Sequence, residues 1–185
     1  MTKQDIRKQV FQLLDSGMPK AQVFERLSGQ GIRDNALALI IGTYPCQKRY
    51  TANEKYINLL MGLMVFYAVI RVIFAVDIVK ANPQLLEQFG VFFTWLLPMI
   101  SAAVPMLFAW GFYKHRAFFY NFYILFTCLQ LSNIHLDQLD AKVVFVLIFS
   151  VATFAYVWWL RARLFPDLFL ISPNKQDGKF VFTDN

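Results

Sequence analysis

The sequence predicts an all-α integral membrane protein, in which a four-helix transmembrane bundle follows a small N-terminal cytosolic helical domain and precedes a short β-prone C-terminal tail. Three observations predict this fold class. The 185 residues are 57% hydrophobic and only 16% charged, whereas about a quarter of the residues in a soluble domain are charged. Four long apolar segments interrupt the chain, and the basic residues gather outside them. This composition excludes a disordered chain and a nucleic-acid-binding tail.

The four apolar segments are each long enough to cross a bilayer as a helix. They lie at 56–76, 89–112, 117–136 and 143–160. A helix rises about 1.5 Å per residue, so about 20 residues cover a hydrocarbon core of roughly 30 Å. The last three segments contain no Asp, Glu, Lys or Arg, and the first contains only Arg71. Residues 56–160 are therefore predicted to form four transmembrane helices.

The distribution of basic residues predicts the orientation. With four spans, fifteen of the 18 Lys and Arg residues share one side of the membrane, two lie on the other side, and Arg71 lies within a span. Cytoplasmic loops retain Lys and Arg. We therefore expect a multi-pass protein of the cell inner (cytoplasmic) membrane, of bacterial type, with both termini cytosolic and outer loops at 77–88 and 137–142.

Residues 1–45 are predicted to form a cytosolic domain of three short helices. The first helix shows a helical apolar period and ends at Gly17, the second covers about 19–28, and the third begins near Asp34 as N-cap and ends at Gly42. A helix-turn-helix for DNA binding is the alternative. Its recognition helix would offer only Arg33 and Asn35 to base edges, so nucleic acid is not the expected partner.

A basic connector at 46–55 is predicted to lie over anionic lipid headgroups. Aromatic residues are expected at the same interface, among them Tyr50, Tyr120, Trp158 and Trp159. The residues predicted to contact headgroups are all basic and flank the spans: Lys48, Arg49, Lys114, Arg116, Arg161 and Arg163.

The C-terminal tail at 161–185 contains two β-prone runs, at 168–172 and 179–183. The Asp177-Gly178 pair before the second run is a turn signal, so the two runs are predicted to form a small hairpin. An isolated two-stranded hairpin is marginally stable in water. We therefore expect it to pack on the N-terminal domain, a neighbouring subunit or a partner protein.

Polar side chains within the spans are the candidate intramembrane site. They are Arg71, Thr94, Ser101, Thr127 and Gln130. Two interpretations remain open: helix packing through small and polar residues, or a polar path through the bundle. An Arg within a span is costly, and the candidate outer ion-pair partners of Arg71 are Asp77, Asp137 and Asp140.

No catalytic constellation is found in the sequence. There is no G-x-S-x-G, Walker A, H-E-x-x-H or dinucleotide motif. His115 and His135 are predicted on opposite sides of the membrane, so they could not share a metal. We therefore expect neither a cofactor nor a metal. A membrane enzyme using His115 at the inner interface is a third class of function, and loop anchoring explains that residue equally well.

Two functional hypotheses follow. The first is a non-catalytic inner-membrane protein that binds a protein partner, as an accessory subunit, an adaptor or an immunity-type factor, through its cytosolic domain and bundle. The alternative is a small homo-oligomeric channel or transporter with a polar path along the first three transmembrane helices. Besides the lipid bilayer, the expected partners are another membrane or cytosolic protein or a second copy of the chain.

Overall fold

The computed structural model describes residues 3–44, 46–132 and 141–183, and these are mostly helical. The helices are α1 (Lys3–Asp15), α2 (Lys20–Leu27), α3 (Asp34–Gly42), α4 (Gln47–Ala81), α5 (Gln84–Tyr113), α6 (Ala117–Ser132) and α7 (Ala141–Leu164). The strands are β1 (Leu168–Phe169), β2 (Ser172–Pro173), β3 (Lys175–Gln176) and β4 (Lys179–Phe180).

Three helices, α4, α5 and α7, are long and apolar enough to cross a membrane. This confirms the coarse prediction of a helical membrane protein with a short strand-containing tail. The third predicted span, at 117–136, begins with α6, which is apolar but has only 16 residues within the described part. Residues 133–136 of that span lie outside the described residues.

Helix α4 is one continuous helix of 35 residues. At 1.5 Å per residue it is about 52 Å long, so it extends well beyond a hydrocarbon core of about 30 Å. The predicted basic connector at 46–55 is helical rather than a separate linker, because α4 begins at Gln47.

Helix α5 contains one break in its backbone. Gly90 has φ 71° and ψ 163°, a conformation that is open to glycine and costly for residues with a Cβ. Pro98 and Pro105 lie further along the same helix, and each lacks the N–H that would bond the carbonyl four residues earlier.

Helices α1, α2 and α3 share a small apolar core. Its buried members recur at helical spacing: Ile6, Val10, Leu14, Val23, Leu27, Leu37, Ile40 and Ile41. The predicted N-cap of the third helix is wrong by one residue, since Arg33 occupies that position with extended backbone and no side-chain cap. Asp34 is the first helical residue, and its carboxylate accepts a hydrogen bond from Ser28 Oγ at 2.8 Å.

The tail forms two very short hairpins instead of the single one predicted. Strand β1 pairs with β2, and β3 pairs with β4, both antiparallel. Asp177 and Gly178 both have positive φ, as a type I′ turn requires, so the predicted turn is present. The predicted pairing of 168–172 with 179–183 is wrong, because the first run turns back on itself at Leu170, which also has positive φ.

The chain divides into two compact units. Residues 1–53 and 116–185 form the composite unit, and residues 54–115 form the central unit. In the composite unit the tail packs on the N-terminal helices: the Phe24 ring lies 5.1 Å from that of Phe180 and 5.5 Å from that of Phe182. The N-terminal helices are therefore not isolated from the rest of their unit. Of the three packing partners expected for the tail, the structure has the first, the N-terminal domain.

Candidate functional site

An open groove of about 720 Å3 lies in the composite unit between α3 and the first tail hairpin. Its α3 wall consists of Arg33, Asn35, Ala36 and Leu39. Its other wall is formed by tail residues 169 and 171–175. Among the described residues, the side chains that line it include two cations and no carboxylate. It is therefore a basic groove with apolar walls, and we call it the α3–tail groove.

The groove exists because α3 has two different faces. Leu37, Ile40 and Ile41 pack into the N-terminal core, which leaves Asn35, Ala36 and Leu39 toward the tail. At the C-terminal end of α3 the tail approaches very closely. A Cβ on Gly42 would lie 2.7 Å from Leu168 Cδ2, closer than such atoms pack, so glycine permits this approach.

A buried polar cluster joins the tail to α2. Lys20 Nζ lies 2.6 Å from Asp167 Oδ2, and both side chains are almost completely buried. The other carboxylate oxygen, Oδ1, accepts hydrogen bonds from the backbone N–H of Thr183, at 2.7 Å, and from its hydroxyl. We call these three residues the latch. It connects positions 147 residues apart.

The latch determines the charge state of its carboxylate. Burial by itself would raise the pKa of Asp167, but the hydrogen bonds from Lys20 and Thr183 outweigh it and hold the pKa below its ordinary value. The carboxylate is therefore ionised at neutral pH, and the cationic Lys20 compensates its charge. A buried charge is tolerated when it is paired and hydrogen-bonded in this way.

A second polar cluster joins the tail to α6 and α7. The carbonyl oxygen of Leu170 accepts a hydrogen bond from Asn121 Nδ2 at 2.7 Å and another from Arg161 at 2.9 Å. Arg161 Nε also donates to Asn121 Oδ1 at 2.9 Å. Arg161 is only 5% exposed, and its guanidinium bonds groups inside the protein. These contacts speak against its contact with headgroups, which stays a prediction.

The other predicted headgroup residues differ in their surroundings. Arg49 is half-buried and donates to the carbonyl of Thr183 at 3.1 Å. The exposed ones are Lys48, Lys114, Arg116 and Arg163. Two of them lie over aromatic rings: Lys114 Nζ is 5.4 Å from the Tyr113 centroid, and Arg163 Cζ is 4.2 Å from that of Trp159. Contact of these four with headgroups stays a prediction.

Two of the aromatic residues expected at the lipid interface are in the protein interior. Tyr50 and Tyr120 are buried, and both rings pack against Phe165, with centroids 6.2 Å and 5.8 Å away. Trp158 and Trp159 are exposed, as residues of an interfacial belt are.

Thr94 and Ser101, two polar residues of the central unit, bond carbonyls of their own helix, and Ser101 also reaches a carbonyl of α4. Thr94 is buried and its hydroxyl donates to the Gly90 carbonyl at 2.9 Å. Ser101 Oγ donates to the Pro98 carbonyl at 2.7 Å, and it lies 3.4 Å from the backbone oxygen of Arg71. These bonds favour the packing interpretation, because such hydroxyls satisfy backbone groups near helix irregularities.

Arg71 is half-buried and its guanidinium lies over the Tyr67 ring, 5.3 Å from the centroid. Its Nε is buried without a hydrogen-bond acceptor among the described residues. Of its predicted ion-pair partners, Asp77 lies in the described part of α4, whereas Asp137 and Asp140 lie outside the described residues. Pairing with either of these two stays a prediction.

The polar residues of α6 lie in the composite unit. Tyr123 is buried and its hydroxyl donates to Thr153 Oγ1 on α7 at 2.8 Å. Thr127, one turn further along, is also buried, and Gln130 is half-buried. The hydrogen bond between Tyr123 and Thr153 joins α6 to α7, a role typical of polar residues between membrane helices.

The sequence analysis missed five residues of these clusters: Lys20, Asn121, Thr153, Asp167 and Thr183. Asn121 could have been identified as a site residue from the sequence, since it is an amide within an otherwise apolar segment. Asp167 directly follows Pro166 and looked like an ordinary loop acid. Its pairing with Lys20 depends on contacts between distant parts of the chain.

Within the described residues, no group of three His, Cys, Asp or Glu side chains is arranged to hold a metal ion. His135, Asp137 and Asp140, which are predicted on the outer side of the membrane, lie outside that part. Comparison with protein families, with curated proteins and with solved structures found no match for this chain. Function therefore has to be inferred from the side chains themselves.

Proposed function

We propose that this protein is a non-catalytic protein of the cell inner membrane that binds a partner protein at the α3–tail groove, as an accessory subunit, an adaptor or an immunity-type factor. The observation that carries the proposal is the groove itself. It combines apolar walls with two cations, Arg33 and Lys175, and contains no carboxylate among its described lining residues. A partner segment with apolar and acidic side chains would complement it in shape and charge.

The latch supports four membrane crossings. Helices α1–α3 precede α4 and the tail follows α7, yet the two regions meet at the pair of Lys20 and Asp167. A chain whose two ends meet on one side of a membrane must cross it an even number of times. Helices α4, α5 and α7 are long and apolar enough for three crossings, and the segment at 117–136, which begins with α6, would be the fourth in the predicted bundle.

The same reasoning supports the proposed orientation. Both termini share one side, and the concentration of Lys and Arg on that side makes it the cytosol. The α3–tail groove would then open on the cytosolic side, where cytosolic proteins and the cytosolic segments of other membrane proteins could reach it.

The contacts of the polar residues favour partner binding over a homo-oligomeric channel. The hydroxyls of Thr94 and Ser101 bond carbonyls of their own helix, and Tyr123 bonds Thr153 across α6 and α7. Side chains used in this way contribute to packing and offer less to a permeating solute.

Site-specific photo-crosslinking in native membranes tests the proposal. A photoreactive amino acid at Ala36 lies in the wall of the groove. We expect a discrete adduct with one protein, and we expect the combined changes Arg33→Glu and Lys175→Glu to abolish it by charge reversal. The matched control combines Arg26→Glu with Lys179→Glu, two exposed cations outside the groove, which alters net charge equally and should leave the adduct unchanged.

Two outcomes would contradict the proposal. One is an adduct that survives reversal of both groove charges. The other is the lack of any protein adduct, together with movement of a solute by the purified protein across liposomes, which would favour the channel.

A further inference from the structure

The turn between β1 and β2 exposes two large apolar side chains. Phe169 is 65% exposed and Ile171 is 70% exposed. Both lie outside the helices, so helix packing against lipid does not explain them. Leu168, the residue before them, is buried beside Gly42. One side of this turn therefore packs on the protein while the other presents apolar surface.

The second polar cluster determines where this turn lies relative to the membrane. The Leu170 carbonyl is bonded to Asn121 and to Arg161, and Arg161 lies in the last turn of α7. The candidate span within α7 covers 22 residues, Val143–Leu164, or about 33 Å of helix. The turn thus lies near the membrane boundary at the C-terminal end of α7.

Neighbouring side chains on α7 are typical of that boundary. Trp158 and Trp159 are exposed, and Arg163 is exposed with its guanidinium over the Trp159 ring. Trp at the level of the headgroups and Arg reaching toward them are characteristic of the interface. Because the Leu170 carbonyl is hydrogen-bonded to Arg161, between these residues, Phe169 and Ile171 lie at the same level.

The backbone of the turn suits a medium poor in water. An unsatisfied carbonyl costs several kcal/mol in lipid, and the Leu170 carbonyl has two donors. Phe169 and Ser172 are partners in the β1–β2 pairing.

From this placement we infer that the β1–β2 turn is a membrane-inserted tip: Phe169 and Ile171 lie in the boundary between headgroups and acyl chains of the bilayer. The tip forms the membrane-facing rim of the α3–tail groove. Phe169 and Ile171 also belong to the wall of that groove, but the inference concerns their contact with lipid and requires no protein partner.

Fluorophore quenching in purified protein tests the inference. Cys128 is replaced by Ala, and Cys46 is buried, so a cysteine introduced as Ile171→Cys provides the labelling site. The labelled protein is placed in phospholipid nanodiscs, and quenching by lipids with a spin label on the acyl chain is compared with quenching by aqueous iodide. Phe169→Cys provides a second site, and Gln176→Cys, on exposed β3 of the same tail, is the matched aqueous control.

We expect the labels at positions 169 and 171 to lose at least half of their fluorescence to the spin-labelled lipid and little to iodide, with the opposite pattern at 176. Equal iodide quenching at all three positions, without quenching by lipid, would overturn the inference. Since the nanodiscs contain no other protein, this result would leave the proposed partner binding untouched. Thermal melting of each variant, read from the reactivity of Cys46, verifies that the composite unit is folded.

Discussion

The two units of the molecule use polar side chains in opposite ways. In the composite unit, polar residues connect elements that are far apart in sequence: Lys20 with Asp167, Arg161 with Asn121, and Tyr123 with Thr153. In the central unit, Thr94 and Ser101 bond carbonyls three or four residues earlier in the same helix. The composite unit is thus specified by pairs of distant side chains, whereas the hydroxyls of Thr94 and Ser101 bond backbone carbonyls, chiefly those of their own helix.

The two units differ in the core that they contain, although both expose apolar residues on long helices. The composite unit buries Val10, Val23 and Ile41 in a core of water-soluble type, and its helices α6 and α7 expose Leu129 and Ile148. The central unit exposes apolar residues along its helices, with Phe92 74% and Met99 71% exposed. Such exposure would be unfavourable in water and is ordinary where lipid is the solvent. Removing one polar side chain should therefore lower the stability of the composite unit more than that of the central unit.

The largest effect is expected at the latch. Asp167→Asn leaves the buried Lys20 ammonium without its counter-charge, and breaking a buried pair in this way costs about 3–5 kcal/mol. We expect the composite unit to unfold at a lower temperature. The measurement is the reactivity of the buried Cys46 with a thiol dye during heating, in protein whose exposed Cys128 has been replaced by Ala.

Asp177→Asn is the matched control, because Asp177 is exposed and lies in a turn that accepts Asn. Its melting temperature should equal that of the unchanged protein. A second variant, with Lys20→Met and Asp167→Leu together, should recover most of the loss, because two apolar groups leave no unpaired charge. If the melting temperature fell as far in the double variant as in Asp167→Asn, the loss could not be due to an unpaired charge on Lys20.

A smaller effect is expected from acid. The folded pKa of Asp167 lies below its ordinary value of about 3.9, so ionised Asp167 stabilises the folded state above that value. This contribution is lost as the pH falls below about 4 toward the folded pKa. Protonated Asp167 keeps an oxygen that can accept a hydrogen bond from Lys20, whereas Asn can place its amide NH2, which only donates, at that position. The loss of stability in acid should therefore be smaller than in Asp167→Asn.

Scanning calorimetry, repeated between neutral pH and about pH 3, measures this effect, because a thiol dye does not react in acid. The decrease in melting temperature should be smaller in Asp167→Asn, which has no carboxyl at that position. An identical decrease in both proteins would show that other carboxylates determine the acid response.

The smallest effect is expected in the central unit. Arg71→Leu removes a contact with the Tyr67 ring that is worth about 0.5–1 kcal/mol, and it also removes a charged group from a span, which itself costs about 2.5–3.5 kcal/mol at mid-membrane. We expect the melting temperature in detergent, measured by scanning calorimetry, to stay unchanged or to rise. A clear decrease would instead favour the predicted ion pair with Asp77, Asp137 or Asp140 and would narrow the contrast between the two units.

Much of the secondary structure followed from the sequence because its causes are local. Runs of apolar residues predicted α4, α5 and α7 as membrane-crossing helices, and Asp177-Gly178 predicted a turn from two adjacent residues. The single long hairpin was predicted wrongly because two β-prone runs were assumed to pair with each other. Tertiary contacts instead turn the first run back at Leu170, whose carbonyl binds Asn121 and Arg161.

The candidate site was less predictable for the same reason. The sequence indicates that Arg33 and Asn35 are polar residues of a helix, but the groove beside them is formed by tail residues more than a hundred positions away. It indicates that Arg161 is a cation at the end of a span, but the partner of its guanidinium, Asn121, lies on another helix. By itself the sequence determined where the chain can lie in lipid, because hydropathy and charge act residue by residue. Only the tertiary structure decided which charges are buried as partners and which remain at the surface, because the free energy of a buried charge depends on the neighbour that compensates it.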